Sequence, residues 1–255
     1  MIVNPNSYVK SHTEHGITTI EFYHQQGNSL PAKLLSDISR EIHFAGTHDE
    51  SKVIILRSKG DAAFCSGASF DELKAISNET DGAKFFLGFA DVINAMRKCT
   101  KFIIARVHGK CVGGGVGLVA AADYAIALDN ADIKLSELSI GIGPFVVGPV
   151  IERKIGMAAF SQLAIDSSLW RNSDWAKRKG LFAELHTSIE NMDGSIDRLT
   201  NKLAHSNPIA MAEMKKIFWK GTEHWDDYLK ERAGISGKLV LSDFTKAAIN
   251  AFKIR

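Results

Sequence analysis

Two features of this 255-residue sequence could do chemistry together. One is a glycine run, Gly113-Gly114-Gly115, with Gly117 close behind. The other is one acidic residue, Glu137, followed by the apolar Leu138, Ile140, Ile142, Phe145 and Val146. Glycine has no side chain to hold a ligand off the backbone. Where such a run turns into a helix, its first N–H groups lack intrahelical acceptors and stand at the positive end of the helix dipole. They can bind a phosphate, or an oxygen that gains charge during a reaction. A carboxylate among apolar groups is poorly solvated, so its pKa rises and it can take and return a proton near neutral pH.

The glycines have other possible uses. A phosphate loop of Walker type needs Gly-Lys-Ser/Thr, which is absent here. Gly115-Val116-Gly117-Leu118-Val119-Ala120 can be forced onto a dinucleotide fingerprint, but no acid is clearly placed about 20 residues later to hold a ribose. Close packing of a helix on a strand is the plainest use. A second glycine turn favours the oxyanion use. Gly67-Ala68, within Phe64-Cys65-Ser66-Gly67-Ala68, also follows a strand and precedes a helix. The amides of Ala68 and Gly114 could then converge on one oxygen.

The elements that must position these groups are readable. Residues 7–23 alternate as two strands around Glu14-His15-Gly16. Pro31 suits the first turn of a helix that runs to about Phe44, with Gly46 and Thr47-His48-Asp49 ending it. Val53 to Arg57 and Phe102 to Val107 are continuous apolar runs, suited to a sheet covered on both faces. Helices are expected over 70–76, 81–98 and 114–122, with a further strand at Tyr124 to Leu128 and a short segment Asp132 to Ser136. Beyond Gly148 helices dominate: 148–155, 158–165, 173–179, 188–205, 208–220, 225–240 and 242–252. Only Phe182 to Leu185 looks like a late strand. Strand–helix units followed by helices argue for an α/β core with a helical C-terminal part.

Composition narrows the function. Lysine plus arginine number 31 against 29 acids, a net charge of +2. That balance gives no pull toward nucleic acid or a membrane surface. No apolar run approaches the roughly 18 residues of a spanning helix. The first residues lack the basic-then-apolar order of a secretory signal. Cys65, Cys99 and Cys111 form no metal-ligand pattern, and three widely spaced cysteines suggest a reduced, cytoplasmic setting. Cys65 is expected to be a small buried residue. His24, His108 and His205 are expected to be structural, and Asp123 to be a cap or turn residue.

Taken together, three stretches resemble the crotonase family of enoyl-CoA hydratases and isomerases over nearly the whole chain. They are Ala63 to Leu73, Val107 to Gly117 with Ala122 to Ala127, and Ser136-Glu137-Leu138-Ser139-Ile140-Gly141-Ile142-Gly143-Pro144. The resemblance implies an α/β spiral of ββα units over residues 1–195 and a helical oligomerisation region over 196–255. Trimers, or dimers of trimers, would follow. It implies an acyl-CoA thioester as ligand, with coenzyme A part of the substrate and no metal or redox cofactor. Its oxyanion hole maps onto the N–H groups of Ala68 and Gly114, and its catalytic acid/base onto Glu137. Binding of substrate or coenzyme A maps onto Asn28, Leu30, Phe64, Ser66, Gly67, Gly113 and Phe145, with Phe252 and Arg255 completing the adenine end from a neighbouring subunit. Phe70, Leu73, Phe85, Phe86, Phe89, Phe145 and Val146 could line an apolar tunnel.

The departures from the family pattern bear on the chemistry. Hydratases of the family carry a second glutamate where this chain has Gly117, which would leave room for a water but supply no second base. Ser69 replaces a common aspartate and His108 a common asparagine, changes expected to affect loop hydrogen bonds alone. Two carboxylates clamp a water for addition across a double bond. One suffices to move a double bond from the 3 to the 2 position, and Gly143-Pro144-Phe145 is similar to Δ3,Δ2-enoyl-CoA isomerases. Hydration by Glu137 alone, and a CoA-thioester-binding protein without efficient catalysis, are the alternatives.

Overall fold

The computed structural model describes residues 6–251. The chain runs β1 (Ser7–Glu14), β2 (Ile17–His24), α1 (Ala32–Thr47), β3 (Val53–Ser58), β4 (Ala63–Cys65), α2 (Phe70–Ala75), α3 (Glu79–Lys98), β5 (Phe102–Val107), β6 (Lys110–Val112), α4 (Gly114–Ala121), β7 (Tyr124–Leu128) and β8 (Ile133–Lys134). A 3-10 turn at Leu138–Ile140 follows. Then come α5 (Gly148–Ile155), α6 (Met157–Ile165), α7 (Ser173–Arg178), β9 (Glu184–His186), α8 (Ile189–Ala204), α9 (Pro208–Phe218), α10 (Trp225–Leu239) and α11 (Asp243–Ala251).

The strands fall into two sheets, one of six in the order β1-β2-β3-β5-β7-β9 and one of three in the order β4-β6-β8. In each consecutive pair β3/β4, β5/β6 and β7/β8, the first strand joins the large sheet and the second the small one. Each turn of chain thus lays one rung on each sheet, which is the expected spiral of ββα units. Among the strands of the described residues β1 and β2 pair antiparallel and the other pairs are parallel, with one isolated antiparallel bridge between Ile133 and Arg171.

The continuous apolar runs of β3 and β5 have a plain cause. Ile54, Leu56, Ile103 and Ala105 face the core shared with α1 and α3. Val53, Ile55, Phe102 and Ile104 face the opposite way, onto Met192 and Ile196 of α8. A parallel sheet covered on both sides leaves no polar face.

Several expected boundaries move. Gly46 does not end the first helix. A β-carbon there would lie 3.1 Å from Cys99 Sγ, so Gly46 lets α1 pass α3 closely and the helix continues to Thr47. The late strand starts at Glu184, two residues after the expected Phe182, because Phe182 is buried in the core while Glu184 to His186 pair with Ile126 to Leu128. The break placed at residue 195 falls inside α8, which covers the outer face of the large sheet as one unit. Asp123 does more than end a helix. Its Oδ2 accepts the Ile103 N–H at 2.8 Å and pairs with buried Lys215 Nζ at 2.8 Å. It thereby ties α9 to the start of β5.

The helices after β9 hold the site from outside. α10 crosses α3 where Gly82 meets Gly237, and a β-carbon at Gly82 would lie 2.6 Å from the Gly237 carbonyl oxygen. α11 rests on the 3-10 turn, with Phe244 and Thr245 over Gly141. Lys154 on α5 donates to the Ala122 carbonyl at 2.8 Å and so caps the C-terminal end of α4. No helix among the described residues is long and apolar enough to cross a membrane.

Candidate active site

The glycine run enters α4 through Gly113, whose φ of +52° few side chains adopt. All eight residues of α4 are buried. Gly114 is its first residue, and its N–H has no acceptor among the described residues, as a first-turn amide should.

The second turn supplies the matching donor. Leu30 and Ala68 form an isolated parallel bridge, in which the Leu30 N–H donates to Gly67 O at 2.8 Å and the Ser69 N–H to Leu30 O at 3.4 Å. These bonds flank Ala68, so its own N–H faces away from Leu30, and it too has no acceptor among the described residues. A β-carbon at Gly67 would lie 3.6 Å from Gly114 N and 2.9 Å from Val112 O. The two turns therefore abut, and both free amides open on one cavity lined by Ser66, Gly67, Ala68, Gly113 and Gly114.

Glu137 lines the same cavity, beside Gly113. It stands at the entrance of the 3-10 turn, where its carbonyl accepts the N–H groups of Ile140 and Ile142. A β-carbon at Gly113 would lie 2.8 Å from Glu137 Oε1, so the carboxyl rests directly on the glycine backbone. The residue keeps some exposed surface, but Oε2 is buried with no hydrogen-bond partner among the described residues. Burial pushes its pKa up from 4.5 to about 7, only slightly opposed by its own backbone N–H. Of its apolar neighbours in sequence, Ile140, Ile142, Phe145 and Val146 line the cavity, whereas Leu138 is 51% exposed and points away.

The position of the family's second glutamate is closed. A β-carbon at Gly117 would lie 2.6 Å from Val147 Cγ1 and 2.8 Å from Val147 Cβ. Val147 fills the space that the sequence suggested for a water. Among the residues lining the cavity, Glu137 is the one carboxylate.

The other expected binding residues separate. Phe145 joins Phe70, Leu73, Phe86 and Phe89 on the apolar wall, while Phe85 packs behind Phe86 and Phe89. Leu30 and Phe64 are fully buried and do not reach the cavity, and the Leu30 backbone is committed to its bridge. Asn28 is buried with its side chain saturated. Nδ2 donates to Lys59 O and Ala63 O at 2.9 and 2.8 Å, and Oδ1 accepts the His24 N–H at 3.0 Å. It pins the loop before α1 to the turn after β3, so its side chain is unavailable to a ligand. Ser66 lines the cavity, but its hydroxyl donates to Gln26 O at 3.1 Å. Phe252 and Arg255 lie outside the described residues.

The remaining polar groups take structural places. Ser69 caps α2 through the Glu72 N–H at 3.4 Å. His108 is buried and does not line the cavity, neither ring nitrogen has a hydrogen-bond partner among the described residues, and burial lowers its pKa. Burial raises the Cys65 thiol to about 12, which keeps it protonated and unreactive. No group of three or more His, Cys, Asp or Glu could hold a metal ion among the described residues. Sequence patterning gave Ser136 no role although it opens the Glu137 stretch, and it missed the wall residue Ser236, which belongs to no motif.

Two free amides and a raised-pKa carboxylate thus border one apolar cavity, the arrangement that stabilising and protonating an enolate calls for. Comparison with known proteins agrees. The sequence profile of the family described as Enoyl-CoA hydratase/isomerase matches residues 12–253, and the chain belongs to that family. It is similar to a peroxisomal Delta(3,5)-Delta(2,4)-dienoyl-CoA isomerase of Arabidopsis thaliana, with 24% identity over 88% of this chain and 84% of that protein. It is also similar to a short-chain-enoyl-CoA hydratase of Clostridium acetobutylicum, with 27% identity over 88% of this chain and 86% of that protein. Among solved structures, an enoyl-CoA hydratase from Bacillus halodurans superposes with a TM-score of 0.89 at 22% identity, covering 96% of this chain and all of that one.

Proposed function

We propose that the protein moves the double bond of a 3-enoyl-CoA to the 2 position, with Glu137 as sole acid/base. The observation that carries this reading is Val147 against Gly117. With that space filled, no second carboxylate can hold a water opposite Glu137. In the proposed reaction the Glu137 carboxylate takes a proton from C2 of the acyl group. The C–H electron pair moves toward the thioester oxygen, which is held by the N–H groups of Ala68 and Gly114. The resulting dienolate accepts the same proton at C4, the 2,3 double bond forms and the carbonyl is restored. Each hole donor is worth about 3–4 kcal/mol of barrier in comparable sites. The pKa of about 7 suits a group that must both take and give a proton near neutrality. Assembly into a homo-oligomer is part of the reading. Ile209, Met214, Ile217 and Phe218 of α9, between 47% and 73% exposed, supply apolar surface for it.

The test offers a 3-enoyl-CoA and a 2-enoyl-CoA to the wild type and to Glu137→Gln. Isomerisation of the first, reduced about 10²- to 10⁴-fold in the variant, supports the proposal. Hydration of the second that disappears in the variant would instead favour a hydratase working with one glutamate. Binding of CoA thioesters without turnover of either would favour a non-catalytic binding protein.

A further inference from the structure

The cavity wall opposite the glycines carries one polar group that the proposed reaction does not use. Ser236 on α10 lines the cavity beside Phe70, Leu73, Phe86 and Phe89, and only 1% of its surface is exposed. A buried helical hydroxyl ordinarily folds back onto its own helix. Thr200 does so, donating to Ile196 O at 2.9 Å, and Thr222 donates to Trp219 O at 2.6 Å. No hydrogen bond of the Ser236 hydroxyl is present among the described residues, and the atom is not one of the fully enclosed unpaired ones, so it keeps a little surface toward the cavity it lines. Leaving a buried hydroxyl unpaired is unfavourable.

The position of Ser236 is fixed rather than adaptable. Its neighbour Gly237 is pressed onto α3, where a β-carbon at 237 would lie 2.3 Å from Ala83 N. Neither helix can slide there without a clash. The same helix α3 places Phe89 against Gly114, since a β-carbon at 114 would lie 2.2 Å from Phe89 Cε1. From Phe89 back to the crossing at Gly82 is about 10 Å at the rise of an α-helix. Ser236 therefore stands about two turns along α3 from the oxyanion hole, at the reach of a medium-length acyl group. Every other residue named on this wall is apolar.

We infer that Ser236 is a specificity-determining residue, and that the preferred acyl-CoA carries a carbonyl or hydroxyl oxygen far from the thioester, hydrogen-bonded by the Ser236 hydroxyl. The inference rests on the thioester site proposed above and adds the class of acyl group. An unsubstituted chain lying along this wall would offer the hydroxyl no partner. A chain with an oxygen at that depth satisfies it, and sites built this way discriminate against analogues that lack the partner.

Equilibrium binding of two saturated acyl-CoA thioesters of equal length, one with a ketone near its far end, tests this. The wild type should bind the ketone about tenfold more tightly than Ser236→Ala does, with the plain chain nearly unaffected. Ser236→Thr, which keeps a hydroxyl, should retain most of the preference. Equal affinity of the wild type for both thioesters, or an equal loss for both in Ser236→Ala, would overturn the inference. Turnover of a 3-enoyl-CoA is measured separately on Glu137→Gln. Full turnover by that variant would remove the proposed reaction while the binding comparison still decides the role of Ser236.

Discussion

Replacing Glu137 by glutamine should make the protein more stable at the pH where it abolishes activity. The carboxyl lies on the Gly113 backbone with Oε2 buried and unpaired, and its pKa stands at about 7 against 4.5 in an unfolded chain. A group whose pKa is higher when folded favours the folded state fully below the unfolded pKa. That contribution declines as pH rises above 4.5 and is gone once pH passes the folded value. The rise corresponds to at most about 3 kcal/mol, lost between about pH 4.5 and pH 7. Glutamine has nearly the same shape and no charge, so the variant lacks this slope. At pH 8 it should be more stable by up to about 3 kcal/mol, or about 5–10 °C in midpoint for a chain of this size. At pH 4 the two proteins should coincide. Urea unfolding at pH 4, 6 and 8, at one protein concentration so that any assembly contributes equally, gives the comparison. In parallel, kcat/KM of the wild type should climb with pH through a midpoint near 7. Stability curves that run parallel at all three pH values would refute the claim that Glu137 is held as a desolvated acid/base.

Three other outcomes are expected. Gly117→Glu should lose about 1–3 kcal/mol by overpacking against Val147 and gain no hydratase activity. Combining it with Val147→Gly should recover stability, and water addition assayed on a 2-enoyl-CoA shows whether the reopened space now supports a two-carboxylate reaction. Gly113→Ala puts a methyl group 2.8 Å from Glu137 Oε1 at a φ of +52°; turnover should fall at least about 100-fold while circular dichroism still reports the helical fold. Lys215→Met removes the partner of buried Asp123 and should cost about 3–5 kcal/mol in denaturant unfolding, with KM for the surviving enzyme little changed.

Much of the large-scale order was readable because it rests on local patterning. The apolar runs of β3 and β5, the amphipathic α1 and α3 and the caps at Asn78, Ser188 and Asn207 are properties of neighbouring residues. The small sheet was harder to see. β6 and β8 have three and two residues, too few for a period, and exist because the spiral stacks them. Ala68, Gly114 and Glu137 stood out through motif and resemblance, but that they open on one cavity depends on the Leu30 bridge and the abutting turns. Asn28 shows what sequence could not reveal: its side-chain bonds are spent inside the protein, which leaves the loop backbone as what it could offer a ligand. The closure of position 117 was hidden because Val147 lies thirty residues away in sequence. Ser236 was invisible for the same reason, since only the meeting of α10 with α3 brings it to the cavity.

The Lys154 cap on α4 has an electrostatic consequence for the other end of that helix. A helix presents about half a positive charge at its start and half a negative charge at its end. With an ammonium bonded to the Ala122 carbonyl, the negative pole of α4 is offset within the protein. What the cavity meets at Gly114 is then closer to an isolated positive pole than to one end of a short dipole. Its field falls off more slowly with distance. Because all eight residues of α4 are buried, dissolved ions have no access along the helix to screen it. A chain of small apolar residues with no charge of its own therefore delivers a fixed positive potential to the cavity at Gly114, and Lys154, outside the cavity, shares in setting it.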